Sequence, residues 1–200
     1  MHVSTDEVYG SLKNGTAGED SPLRPSSAYS SSKASADLLA LSNHYTHKQN
    51  IVISRCCNNY GYFQNSEKFL PKMISQLLIG KKVPVYGSGD NVREWIHVRD
   101  HSHALHQILS MGKEGNVYNV GSENRVSNLE LLQSVANILG IQGECWEFVT
   151  DRKGHDARYA LNSEKIRTEL GWKDQIDFEK GLASTVEWYK NWFKEFGMPY

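Results

Sequence analysis

Helix-like and strand-like segments alternate along these 200 residues, which predicts an α/β layered fold with right-handed crossovers between parallel strands. Three observations carry this. Short strand-like runs near residues 2–5, 51–56 and 116–121 read as members of a parallel sheet, helical patterns separate them, and no repeat or low-complexity tract interrupts the alternation.

The elements follow in order. Val3 and its neighbours read as the end of a strand, and Gly10 to Ser27, rich in Gly, Ser and Pro, as a loop. A helix is expected from about Ala28 to Lys48, with Leu38, Leu39, Leu41 and Tyr45 on its apolar side. "IVISRC" (51–56) reads as a buried strand, "NNYGYFQNSEKF" as a polar loop, and "LPKMISQLLIG" as a helix. "VPVY" (83–86) and "EWIHV" (94–98) suggest strands flanking a "GSGD" turn. "RDHSHALHQILSM" suits a helix and "NVYNVG" a strand. "SNLELLQSVANILG" suits a helix opened by a capping box of Ser127 and Glu130. A short helix near "SEKIRTELGW" and a last one through "FEKGLASTVEWYKNWFKEF" complete the series.

Composition narrows the class. With 39% hydrophobic and 22% charged residues the chain reads as globular, and no apolar run approaches the ~18 residues of a membrane span. A net charge of −1 offers no global field for nucleic acid or an anionic membrane, so an anionic ligand would be held by locally placed Arg and Lys. The three cysteines, two of them the neighbours Cys56 and Cys57, are poor material for a disulfide framework and read as reduced thiols. No basic segment leads into an apolar stretch at the start, so no secretory signal is expected and the cytoplasm is the expected compartment. The histidines in "HVRDHSHALH" (97–106) lack the His-x-x-x-His arrangement with an intervening glutamate, and no metal is expected.

Two clusters suggest chemistry. Tyr29 and Lys33 stand four apart on the expected helix, so they share a face, and the ammonium would lower the pKa of the phenol and make it a base. The bland alternative is an exposed helical pair. Thr5, Asp6 and Glu7 follow a strand end, where open α/β sheets place reacting groups. They offer a hydroxyl and two carboxylates whose environments could drive their pKa values apart, leaving one acid and one base. An N-cap role for Thr5 or Asp6 is the competing reading.

Ser4–Thr5, Tyr29 and Lys33 resemble the Ser/Thr-Tyr-Lys set of the extended short-chain dehydrogenases (the NAD-dependent epimerase/dehydratase group), and "TDE" is similar to the signature of their nucleotide-sugar 4,6-dehydratases. "NNYG" (58–61), "EKFLPKMI" (67–74), "VPVYGSGDNVREWIHVRDH" (83–101), "YNVG" (118–121) and "DRKGHDARYAL" (151–161) follow in order, and together they resemble the dTDP-glucose 4,6-dehydratases across almost the whole chain. The resemblance implies the C-terminal part of a Rossmann-type doubly wound parallel sheet plus a smaller mixed α/β substrate-binding domain. Residues 1–62 would be a partial Rossmann (catalytic) region, 63–115 mainly substrate-binding, 116–126 a returning Rossmann strand and 127–200 mainly substrate-binding. The glycine-rich dinucleotide turn has no counterpart here: "YGSGDN" lacks the helix that should follow its glycines. The chain is therefore expected to be N-terminally truncated, to bind NAD poorly, and to be a working lyase, an inactive nucleotide-sugar-binding remnant, a complementing subunit, or a related UDP-sugar epimerase or decarboxylase.

The resemblance further implies roles. Tyr29, with Lys33, would take the proton of the sugar 4-hydroxyl as hydride passes to NAD; Glu7 would remove the C5 proton; Asp6 would protonate the departing 6-hydroxyl; and Thr5 would hold the C4 oxygen. Tyr29, Lys33 and Asn58 would meet NAD. Asn59, Glu67, Lys68, Pro84, Tyr86, Arg93, Asn128, His155 and Arg158 would meet a dTDP-hexose, Pro84 and Tyr86 flanking the base and Arg93 and Arg158 the diphosphate. A salt bridge to Glu94 or Asp90 is the competing role for Arg93. Lys153, Ala157 and the Cys56–Cys57 pair depart from the family pattern. The unpaired edge and apolar face of a three-stranded sheet favour association, with a homodimer as the expected form.

Overall fold

A computed structural model describes residues 1–197. Its elements run β1 (His2–Thr5), a 3-10 turn (Asp6–Tyr9), α1 (Ala28–His47), β2 (Ile53–Cys56), β3 (Asn58–Tyr60), α2 (Phe69–Leu78), β4 (Val83–Tyr86), β5 (Val92–His97) and α3 (Val98–Met111). They continue with β6 (Val117–Val120), β7 (Arg125–Ser127), α4 (Asn128–Leu139), β8 (Trp146–Val149), α5 (Glu164–Leu170) and α6 (Phe178–Phe196).

The three strand-like runs form one parallel sheet, ordered β1-β2-β6, with His2 opposite Ile53 and Ile53 opposite Val117. Two smaller sheets accompany it: β3-β5-β7, which is mixed, and the parallel pair β4-β8. One hydrophobic cluster, with Val8, Ala34, Val52, Ala104, Ile108, Tyr118, Ile166 and Trp172, packs about the parallel sheet. The second joins α2, α4 and α6 to β4 and β5 through Leu70, Ile74, Val85, Leu132 and Val186. Residues 63–115 and 127–200 each contribute to both clusters, since Ala104 and Ile166 lie in the first and Ile74 and Leu182 in the second. Among the described residues no helix is long and apolar enough to cross a membrane.

The sequence expectations need four corrections. "NNY" is a strand, β3, and β7 and β8 were not expected at all. β8 is four residues long, Trp, Glu, Phe and Val, too short a run for a period to stand out. β5 begins two residues before the expected "EWIHV" run and ends at His97. The fourth concerns α1, whose buried face is Ser30, Ala34 and Asp37, at helical i, i+4, i+7 spacing. Leu38, Leu39 and Tyr45 are 59%, 65% and 65% exposed, and Leu41 is half-buried. Polarity decided the helix rotation: Asp37 must reach the buried Arg55 of β2, whose Nε donates to Asp37 Oδ2 at 2.8 Å. The Arg55 Nη1 also donates to Tyr9 Oη (2.8 Å), which donates to Asn119 Oδ1 (2.8 Å), so one buried network ties α1 to β2, β6 and the 3-10 turn after β1.

Candidate active site

The carboxyl end of β1 turns sharply into the 3-10 turn. Thr5 caps it, its Oγ1 accepting from the Glu7 amide at 3.3 Å while donating to Asp6 Oδ1 at 3.2 Å. Thr5 is thus an N-cap, and it also lines a cavity. The turn closes on Gly10, at φ 71°, where a Cβ would stand 2.1 Å from the Arg24 carbonyl oxygen; only glycine fits.

Asp6 is 3% exposed, and its Oδ2 is buried with no hydrogen-bond partner. Burial first, then the neighbouring Cys56 and Glu7, push its carboxyl well above the ordinary range. Glu7 is half-buried and also raised by burial, but the Arg93 guanidinium pulls the other way. The two carboxylates thus differ in the sense acid–base chemistry needs: Asp6 is the better proton holder and Glu7 the better base.

Tyr29 enters from the first turn of α1, which opens with a capping box of Ser27 and Ser30. Burial and then Glu7 and Asp6 raise the pKa of its phenol, and Thr5 lowers it by less. The expected lowering by Lys33 is absent. The ammonium donates to the Val3 carbonyl at 2.7 Å instead, and the phenol faces two carboxylates.

These groups open on one cavity of about 740 Å³. Thr5, Asp6, Glu7, Tyr29, Asn58, Asn59, Glu67, Lys68, Tyr86, Arg93, Asn128 and His155 all line it. Lys33, Pro84 and Arg158 do not; the Arg158 Nη1 donates to the Gly15 carbonyl at 2.7 Å on the surface, which turns it away from the diphosphate role. Arg93 pairs with neither Glu94 nor Asp90. Its guanidinium is buried over the Tyr159 ring (4.5 Å) and donates to the carbonyls of Val92 and Asp156, both at 2.9 Å. Glu94 instead accepts from Arg125 Nε (2.9 Å) and from the amides of Glu123 and Leu161, both at 3.0 Å. His155 is clamped between Asp151 Oδ1 (2.7 Å) and Arg152 (3.1 Å).

Sequence reasoning missed several cavity residues, among them Cys56, Gln64, Trp95, His101, Arg152 and Asp156. Only Arg152 left a usable signal, as a cation inside a matched motif; its guanidinium lies over the Tyr86 ring at 5.0 Å. Asp156, in the same motif, is a carboxylate that accepts from the Tyr159 and Ser26 hydroxyls, and the rest are residues that a core would also use. Among the described residues no group of three or more His, Cys, Asp or Glu is placed to hold a metal ion.

A parallel sheet with Thr5 and two unequal carboxylates at its carboxyl end, Tyr29 joining them from α1 and the buried Arg93 lining the same cavity, has the arrangement of a Rossmann-type fold, whose sites lie at the strand ends. Within that class the chain belongs to the GDP-mannose 4,6 dehydratase family, whose model matches residues 1–185. It is 48% identical over 190 residues to a dTDP-glucose 4,6-dehydratase of Actinoplanes sp., with 95% of this chain and 59% of the relative covered. The DesIV dTDP-glucose 4,6-dehydratase of Streptomyces venezuelae, solved with NAD bound, superposes with a TM-score of 0.95 at 45% identity, over 97% of this chain and 60% of that one. A UDP-glucuronic acid 4-epimerase of Bacillus cereus, solved with UDP-glucuronic acid and NAD, gives a TM-score of 0.90 at 25% identity, over 96% of this chain and 61% of that one. The chain therefore spans about three-fifths of the length of the curated relatives it matches.

Proposed function

We propose that this chain carries the proton-transfer and sugar-nucleotide-binding part of an NAD-dependent dTDP-glucose 4,6-dehydratase, a lyase that makes the 4-keto-6-deoxy sugar. One observation supports this above the others: Asp6 and Glu7, adjacent in the chain and unequal in environment, open with Tyr29 on one cavity. Elimination of water across C5 and C6 needs a base for the C5 proton and an acid for a poor leaving group, and Glu7 and Asp6 supply them. Thr5 steadies the C4 oxygen, and Tyr29 handles the proton of the 4-hydroxyl. Arg93 and the amide end of α4 at Asn128 hold the diphosphate. Asn59, Glu67, Lys68 and His155 surround the sugar, and Tyr86 offers an aromatic face to the base.

The described residues fit the nicotinamide end of NAD: Tyr29 and Asn58 line the cavity, Lys33 stands beside it on α1, and the buried Asp6 Oδ2 and Asn59 Oδ1 have no partner there. When bound, NAD supplies a hydride acceptor and donor together with a positive charge. Among the described residues no glycine-rich turn leads from a strand into a helix to hold its pyrophosphate. Residues 1–62 and 116–126 form the catalytic side, and 63–115 with 127–200 contribute mainly to the substrate side. The reduced thiols suit a cytoplasmic protein. The exposed Leu38, Leu39 and Tyr45 of α1 suit a homodimer.

A second reading is favoured by the raised Tyr29 pKa and by the outer edge of β1, which pairs with no strand among the described residues: the chain binds sugar nucleotide without turnover until another chain completes it. Incubation with dTDP-glucose and NAD in deuterated water separates the two. A 4-keto product carrying deuterium at C5, lost in Glu7→Gln and Tyr29→Phe, is the expected result. Epimerised sugar without loss of water would overturn the dehydratase proposal, and dTDP binding without product would leave the second reading.

A further inference from the structure

The cavity wall carries two groups that the dehydration does not use. β2 ends at Cys56 and the chain leaves the sheet at Cys57, and both free thiols, each 4% exposed, line the cavity. Side chains of successive strand residues ordinarily point to opposite faces. Here the passage from β2 into β3 puts both on one wall. Asn59 Nδ2 donates to the Cys56 sulfur at 3.3 Å, and Cys57 and His101 line the same cavity near enough to act on its ionisation. His101 is 8% exposed, lines the same cavity, and its Nε2 is buried without a hydrogen-bond partner. Burial opposes ionisation of Cys56, but Cys57, His101 and Asn59 outweigh it and bring the thiol below its ordinary pKa. Cys57 moves the other way, raised by burial and by Cys56 itself. A thiolate beside an imidazole on an open cavity is the arrangement that makes cysteine reactive.

We propose that Cys56 is a modification site: a nucleophilic thiol that reacts with low-molecular-weight disulfides entering the substrate cavity and, once capped, excludes the sugar nucleotide. In the step the Cys56 thiolate attacks one sulfur of the reagent. The Cys56–S bond forms, the reagent's S–S bond breaks, and the departing half leaves as a thiolate that takes up a proton; Cys56 is oxidised and the departing half reduced. His101 acts through Cys56 as a positioning residue. The exclusion clause rests on the sugar-nucleotide reading of the cavity, whereas the thiol's reactivity does not.

The probe is dithiodipyridine, added to the full chain in a Cys145→Ser background so that only Cys56 and Cys57 report. One fast equivalent of thiopyridone is expected, retained in Cys57→Ser and lost in Cys56→Ser. In His101→Gln the fast rate falls about tenfold near neutral pH, and its pH midpoint moves up toward that of a free thiol. Should Cys56→Ser fail to fold, proteolysis and mass spectrometry of the labelled parent locate the adduct directly. An adduct on Cys57, or a rate no faster than in the urea-unfolded chain, overturns the proposal. Saturating dTDP slows labelling if the cavity is shared. A chain fully labelled at Cys56 that binds dTDP undiminished overturns the exclusion clause, whereas labelling at Cys56 in a parent that binds no dTDP counts against the substrate reading and leaves the reactive thiol standing.

Discussion

Replacing Asp37 by alanine tests whether polarity, rather than the leucines, orients the Tyr29 helix. Asp37 is fully buried, holds Arg55 Nε at 2.8 Å and lies 3.1 Å from His2 Nε2. Its removal leaves a guanidinium in the core with only the Tyr9 hydroxyl and the Glu19 carbonyl (3.2 Å) as partners. Removing one partner of a buried pair costs about 3–5 kcal/mol. In a chain of this size each kcal/mol lowers the melting temperature by about 2–4 °C, so Asp37→Ala melts about 6–20 °C lower. Thermal unfolding by circular dichroism reads this directly. The double variant Asp37→Leu/Arg55→Met removes both charges together and recovers most of the loss, because the desolvation cost of the pair disappears with it. A shift under about 2 °C in Asp37→Ala, or a double variant worse than the single one, would refute the reasoning. Because α1 presents Tyr29 to the cavity, Asp37→Ala also weakens ligand binding at temperatures below its melting point.

Asp6→Asn changes stability with a definite sign. The folded carboxyl holds its proton above the unfolded value, so its contribution is full below about pH 4 and is lost as pH rises, at up to about 1.4 kcal/mol per pH unit, until the folded group ionises. The asparagine variant therefore gains on the parent at neutral pH and not in acid, and melting curves that stay parallel across pH contradict this. The dehydration rate should follow a bell: it falls in acid as Glu7, whose pKa is raised, takes up a proton, and falls in alkali as Asp6 loses one. A kcat/KM flat from about pH 4 to 8 would remove both from the proton transfers. Arg93→Met weakens dTDP binding roughly ten- to hundredfold, the worth of a charge-assisted hydrogen bond, by calorimetric titration of a chain whose circular dichroism is unchanged. Trp172 is fully buried and donates to the Asp100 carbonyl at 3.2 Å, so Trp172→Ala costs about 3–5 kcal/mol in urea unfolding. A loss under about 1 kcal/mol would mean the first cluster repacks around the gap.

Much of this was legible where local rules and packing agree. The three parallel strands, the Ser127–Glu130 capping box and the turn of Thr5, Asp6 and Glu7 follow from patterns within a few residues, whereas Tyr29 is joined to that turn by the family resemblance, and the two do share a cavity. What misled were features settled at long range. The rotation of α1 depends on Arg55, 18 positions beyond Asp37. The phenol's environment depends on which acceptor Lys33 meets, and the Val3 carbonyl 30 positions earlier won. Arg93 found two carbonyls and an aromatic ring instead of its charged neighbours because Arg125 had already claimed Glu94. Cys56 and His101 gave no sign of sharing a wall, since 45 residues of chain separate them.

Because Thr5, Asp6 and Glu7 are consecutive and locked in a single capped turn, their spacing belongs to one short piece of backbone. Arg93 and His155 reach the cavity from β5 and the loop after β8. On the proposed reading, a shift of those two elements changes the hold on the phosphorylated end of a ligand and leaves the spacing of acid and base as it was, so ligand hold can be tuned without retuning the chemistry.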